Sequence, residues 1–238
     1  MLSTVIFLVI CVKDVVTEDH SQTIITQSYL ESEPALTPIK VGQIHTTLAE
    51  ELCEYLEDWN NIGVPENAQE IVFSELLITR QSTESGIPEE SLVQMYDSLF
   101  GLNLATVSDW SIHDILFTRP VDSLLFEDII TLVEEWYQLT QFQNQLGYLL
   151  NNYSQYYSTF HLEAIRSATV SSYGYWKDNF EECAGSLIES RIDPKARAII
   201  GGDIKGAIWG GIMGGLAGAL LGANGGTLMG ILDVIIFG

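Results

Sequence analysis

Apolar residues recur at steps of three and four along most of this chain, a spacing that predicts a succession of amphipathic helices. Between residues 41 and 59 the positions Ile44, Leu48, Leu52, Tyr55, Leu56 and Trp59 share one helical face, and Glu50, Glu51, Glu54, Glu57 and Asp58 line the rest. Pro65 and Pro88 stand where helices can start, each followed by acidic residues that suit the positive end of a helix dipole. Two helices are therefore expected near 66–79 and 88–101. A shorter one is expected near 108–117, capped by Ser108 and closed by Pro120. The longest should begin near Asp122, because Leu125, Ile129, Leu132, Trp136 and Leu139 step 4-3-4-3 and Leu146 and Leu150 resume the register. A tyrosine-rich stretch over 153–176 then leads to Phe180, Cys183, Leu187 and Ile188, again at helical spacing, and Asp193-Pro194 ends it. No run alternates with period two for long enough to demand a strand. The fold class read from this pattern is all-α: a helical bundle with a C-terminal glycine-zipper helix or helical hairpin.

The tail differs from everything before it. Glycine falls at Gly202, Gly206, Gly210, Gly214, Gly218, Gly222, Gly226 and Gly230, an unbroken series at four-residue spacing. Ala207, Gly211, Gly215, Ala219 and Ala223 form a second small stripe beside it, and Ile208, Trp209, Ile212, Met213, Leu216, Leu220 and Leu221 cover the opposite side. Each glycine inside a helix costs about 0.8–1.0 kcal/mol relative to alanine. The stripe is therefore read as a helix-packing surface, where missing side chains let two backbones approach. Residues 206–223 carry no charge and span about 27 Å as a helix, close to the thickness of a bilayer core. Asn224-Gly225-Gly226 offers a turn into a second apolar arm over 227–237, interrupted by Asp233. Inside a bilayer Asp233 would be a candidate functional polar group.

Charge sharpens the division. Residues 1–197 hold 30 acidic and 9 basic side chains, whereas 198–238 hold only Asp203, Lys205 and Asp233. A field that negative repels phosphate backbones, so nucleic acid is excluded as a partner, and no polybasic run exists to bind anionic lipid. Any membrane engagement must be hydrophobic. The boundaries expected are 1–40 for an export signal or N-terminal arm plus linker, 41–197 for an acidic helical domain, and 198–238 for the tail. Residues 1–12 form an apolar run of the length of a signal-peptide core, without a basic start or an A-x-A site; the alternative is a short buried strand. In Leu8-Val9-Ile10-Cys11 the bulky Ile10 occupies the place where a lipoprotein signal needs a small residue.

Candidate chemistry is sparse. His20, His45, His113 and His161 show no metal-ligand spacing, so none is assigned to a metal, and no cofactor motif is present. Adjacent glutamates such as Glu134 and Glu135 do not face each other on a helix. No serine sits in a nucleophile elbow. An enzyme would require His45, Glu51 and a later tyrosine to converge in a cleft, and no enzymatic activity is expected. Cys53 and Cys183 could form one bridge, but two separate core thiols are the preferred reading.

Val41-Gly42-x-x-His45-x-x-Leu48 at a helix start, Ser171-x-Tyr173-x-x-Trp176 later, and Asp203 before a Gly/Ala-rich end together resemble uncharacterised helical proteins of Bacteroidota. That resemblance implies a helical body with a glycine-zipper tail and brings no established activity or site residues. Function is expected to follow from the tail: a secreted or membrane-associated protein that inserts into lipid and oligomerises, as a bacteriocin-like or effector-like pore former would. The alternative is a non-permeabilising anchor, adaptor or self-assembling protein. Membrane lipid and a second copy, or a protein partner bound through the tail, are the expected partners.

Overall fold

In a computed structural model, the residues described are 36–105, 117–135, 138–184 and 194–231, and among them the chain is an all-α helical bundle without strands. Helix α1 is Pro38–Ile62. It starts three residues before the expected position because Thr37 accepts a hydrogen bond from the Lys40 amide at 3.2 Å and Pro38 supplies a first turn that needs no amide donor. The expected helix near 66–79 is longer: α2 comprises Ala68–Ile71, a π-helical stretch Val72–Arg80 and a last turn Gln81–Ser85. Gly86, at φ 79°, closes it. Helix α3 is Glu89–Phe100.

The long helix expected from Asp122 is in fact two, α4 (Pro120–Glu134) and α5 (Leu139–Asn151). Leu125, Ile129 and Val133 are buried, but Leu139, which continued the sequence register, is exposed. Gln138 adopts extended backbone and starts α5 afresh. The new direction brings Phe142 flat against Tyr173, with ring centroids 3.8 Å apart. Stacking onto α6 (Thr159–Ala184) thus overrides the local register. The final helix, α7, is Pro194–Ile231 and is broken at Gly214 and Gly215 into two arms. The expected helix near 108–117, the run 1–12, Leu187, Ile188 and Asp233 lie outside or largely outside the described residues.

One continuous core joins body and tail. Ile44, Leu48 and Leu52 of α1, Phe73 and Leu76 of α2, Leu92 and Tyr96 of α3, Ile165 and Trp176 of α6, and Ile204, Leu220 and Ala223 of α7 are all buried in it. The stretch Pro194–Leu228 is long and apolar enough to cross a membrane, and 78% of its most apolar window is buried inside the bundle.

Candidate functional site: a glycine hairpin and its polar clasp

The glycine series folds back on itself. Gly202 faces Gly226, Gly206 faces Gly222 and Gly210 faces Gly218, each pair equidistant from Gly214. A Cβ placed on Gly202 would lie 3.0 Å from the Gly226 carbonyl oxygen. At Gly206, Gly210, Gly218 and Gly222 it would run into the carbonyl of the opposing glycine, inside van der Waals contact. Gly230 packs on the Ile199 backbone, where a Cβ would come within 2.9 Å of Cα. Seven of the eight glycines are thus used for contact within the chain, and Gly214 sits at the break.

The turn expected at Asn224-Gly225-Gly226 is therefore misplaced. These residues are helical, and the chain reverses at Gly214 (φ −134°, ψ 16°) and Gly215 (φ 62°, ψ −140°). Only a reversal at the midpoint of the series brings its two halves face to face, and Gly215 occupies backbone space that side chains disfavour. The uncharged run over 206–223 is accordingly two antiparallel pieces rather than one straight span.

Polar groups fix the hairpin in its socket. Asp203, on the first arm, is fully buried and accepts from Ser172 of α6 at 2.5 Å and from Thr227 of the second arm at 2.8 Å. His45 of α1, also fully buried, places Nε2 3.3 Å from Asp203 Oδ2 and Nδ1 2.9 Å from Asn224 Oδ1. The first contact is an ion pair, since Nε2 makes no aligned hydrogen bond. Asn224 donates to Gln81 Oε1 at 2.8 Å, and Tyr96 donates to the same oxygen at 2.9 Å. Five helices thus meet on seven polar side chains, three of the hairpin and four of its socket.

Local structure sets this up. The π-helical turns widen α2. In the resulting register Arg80 reaches Glu51 (2.5 Å) and Glu84 (3.1 Å) at the surface while its neighbour Gln81 is buried toward Asn224. Burial disfavours the charged His45 imidazole, but the Asp203 carboxylate and the bond to Asn224 more than offset that, so its pKa stands above the usual value. A doubly protonated ring satisfies both contacts: Nδ1–H donates to Asn224 and the positive charge faces Asp203.

The arrangement holds a charge pair away from solvent and offers no substrate access, since His45, Asp203, Ser172 and Gln81 are fully buried. His45 and Glu51 are not brought together: one enters the core, the other pairs with Arg80. His161, on α6, lies near the apex, its Nε2 4.0 Å from where a Gly215 Cβ would be. Burial and the nearby Arg119 guanidinium lower its pKa. Among the described residues no group of three His, Cys, Asp or Glu side chains could hold a metal ion.

The two core thiols expected separately are joined: Cys53 and Cys183 form a disulfide, with Cα atoms 5.1 Å apart, linking α1 to the end of α6. The spacing of 130 residues hid this pairing, because the parallel packing of α1 and α6 alone brings them together. Sequence reasoning also passed over Asp203, Asn224 and Thr227 as partners. The available signal was polar residues placed inside an otherwise apolar tail. No family model matches this chain, and no curated protein or solved structure matches it either.

Proposed function

We propose that this protein inserts into membranes and that the bundle is its stored form. The observation that carries this reading is the burial of the most apolar segment, hinged on glycine at its midpoint, inside a socket built by an acidic body. Straightened across Gly214 and Gly215, residues 206–232 form an uncharged segment bounded by Lys205 and Asp233. That segment spans about 40 Å as a helix, more than the ~30 Å hydrocarbon core. Opening the hairpin also frees the glycine faces, which then have other copies of the same helix as partners in lipid. A pore-forming oligomer, bacteriocin-like or effector-like, follows from that exchange. The disulfide supports an oxidising compartment and hence export.

The socket dictates the experiment. Truncating the tail would remove core residues such as Ile204 and Leu220 and unfold the body. Met213, at the apex, is 42% exposed, so Met213→Lys leaves the stored form intact while placing a charge inside the inserted span. A lysine at the centre of a membrane helix costs about 2.5–3.5 kcal/mol, and one at Met213, nearer the end of the span, costs less. Dye release from phosphatidylcholine vesicles, with dithiothreitol present to open the Cys53–Cys183 bridge, should be strong for the wild type and lost in M213K at equal thermal stability. Flotation with vesicles without release would replace the pore with an anchor. The absence of both flotation and release would sink the membrane reading.

A further inference from the structure

Helices α1 and α6 form the clasp around the hairpin, and their contact is fastened at both ends. At the start of α1 the backbones nearly touch, for a Cβ on Gly42 would lie 2.5 Å from Ser167 Oγ and 2.7 Å from the Ser167 carbonyl oxygen. The Gly42 amide donates to Ser167 Oγ at 3.2 Å, and Ser171 donates to the Gly42 carbonyl at 2.7 Å. The far end is held by the Cys53–Cys183 disulfide. His45 and Ser172, which grip Asp203, lie between the two fastenings. Two of the three partners of Asp203, His45 and Ser172, therefore sit on the two helices that these fastenings hold together.

We propose that the Cys53–Cys183 disulfide is a redox latch: thiol–disulfide exchange with a cellular dithiol lets α1 and α6 part and releases the hairpin. This inference rests on the membrane-inserting reading and names its trigger. Cys53 is 9% exposed and Cys183 is fully buried, so Cys53 is the half of the bridge nearer solvent, and attack is assigned to its Sγ. The thiolate of the dithiol bonds to Cys53 Sγ, the Sγ–Sγ bond breaks, and Cys183 leaves as a thiolate that takes up a proton. The second thiol of the reductant then attacks its own sulfur in the mixed disulfide and expels Cys53, which is also protonated. Two electrons and two protons pass to the protein, and the dithiol leaves as a disulfide. The latch holds in an oxidising space and opens on arrival in a reducing one.

The test uses the full chain with dithiothreitol under native conditions, with alkylation and mass measurement to show that Cys53 and Cys183 are free. Hydrogen exchange should accelerate at least tenfold in peptides covering 198–231, while peptides from α4 and α5 keep their protection. Unchanged exchange in the tail with both thiols free would overturn the latch. Uniform loss of protection throughout the chain would overturn it too, since the disulfide would then be a general staple. Cys53→Ser with Cys183→Ser should match the reduced wild type; if that variant does not fold, reduction of the folded wild type still decides. Vesicle flotation of the reduced protein is read separately: an exposed tail that fails to float leaves the latch standing and removes the membrane reading.

Discussion

Gly206→Ala sets two physical effects of opposite sign against each other. In an isolated helix the change stabilises by about 0.8–1.0 kcal/mol, because alanine loses less backbone entropy than glycine. In the hairpin the new methyl collides with the Gly222 carbonyl, which belongs to a helix backbone and cannot rotate aside. Overpacking a dense core costs about 1–3 kcal/mol, and a backbone contact belongs at the top of that range. The net expectation is a loss of about 2 kcal/mol. For a chain of this size each kcal/mol moves Tm by roughly 2–4 °C, so the midpoint should fall by roughly 4–8 °C. Gly225→Ala is the internal control: its Cβ would meet only Tyr96 Cε1 at 3.8 Å, an ordinary contact, so the propensity gain should survive and Tm should hold or rise. Both variants are compared by circular dichroism melts and urea unfolding at one pH. If G206A proves as stable as G225A, the backbone-to-backbone hairpin is wrong, and the glycine series must serve some partner other than itself.

Three further outcomes follow from the clasp and the hinge. Asp203→Asn leaves His45 buried without its counter-charge and should cost about 3 kcal/mol in urea unfolding; a variant as stable as wild type would show that the pair does not hold the tail. Because the folded pKa of His45 is raised above 6.5, its contribution to stability is complete below 6.5 and is lost as pH climbs through the raised value. The wild-type Tm should therefore fall more steeply than that of D203N as pH rises above 6.5, and a steeper loss in D203N would contradict the assignment. Gly215→Ala forces a side chain into φ 62°, ψ −140°, and should destabilise the stored form by about 1–3 kcal/mol while favouring a straight helix; vesicle flotation faster than wild type, with both proteins reduced, is the matching readout.

Much of this architecture was legible in the chain because helix formation is local. The three- and four-residue spacing of Ile44, Leu48, Leu52 and Trp59, or of Leu125, Ile129 and Val133, reports a buried helical face wherever that face finally packs. Pro88 marks a helix start by backbone chemistry that needs no distant partner. The four-residue glycine series likewise announced a close-packing surface from sequence alone. What the spacing could not name was the surface on the other side. Lipid, a second copy, or the chain's own second half satisfies the same stripe, and only the reversal at Gly214 and Gly215, with Gly206 against Gly222, selects the last of these for the folded state. The split of α4 from α5 was equally hidden, since the stack of Phe142 on Tyr173 lies between residues far apart in the chain. The polar clasp was the least visible part. His45, Gln81, Ser172, Asp203, Asn224 and Thr227 each look ordinary along the sequence, and Asn224 beside two glycines reads as a turn. Burial removes water as their alternative partner, so they must satisfy one another, and that requirement exists only once the helices have closed around the tail.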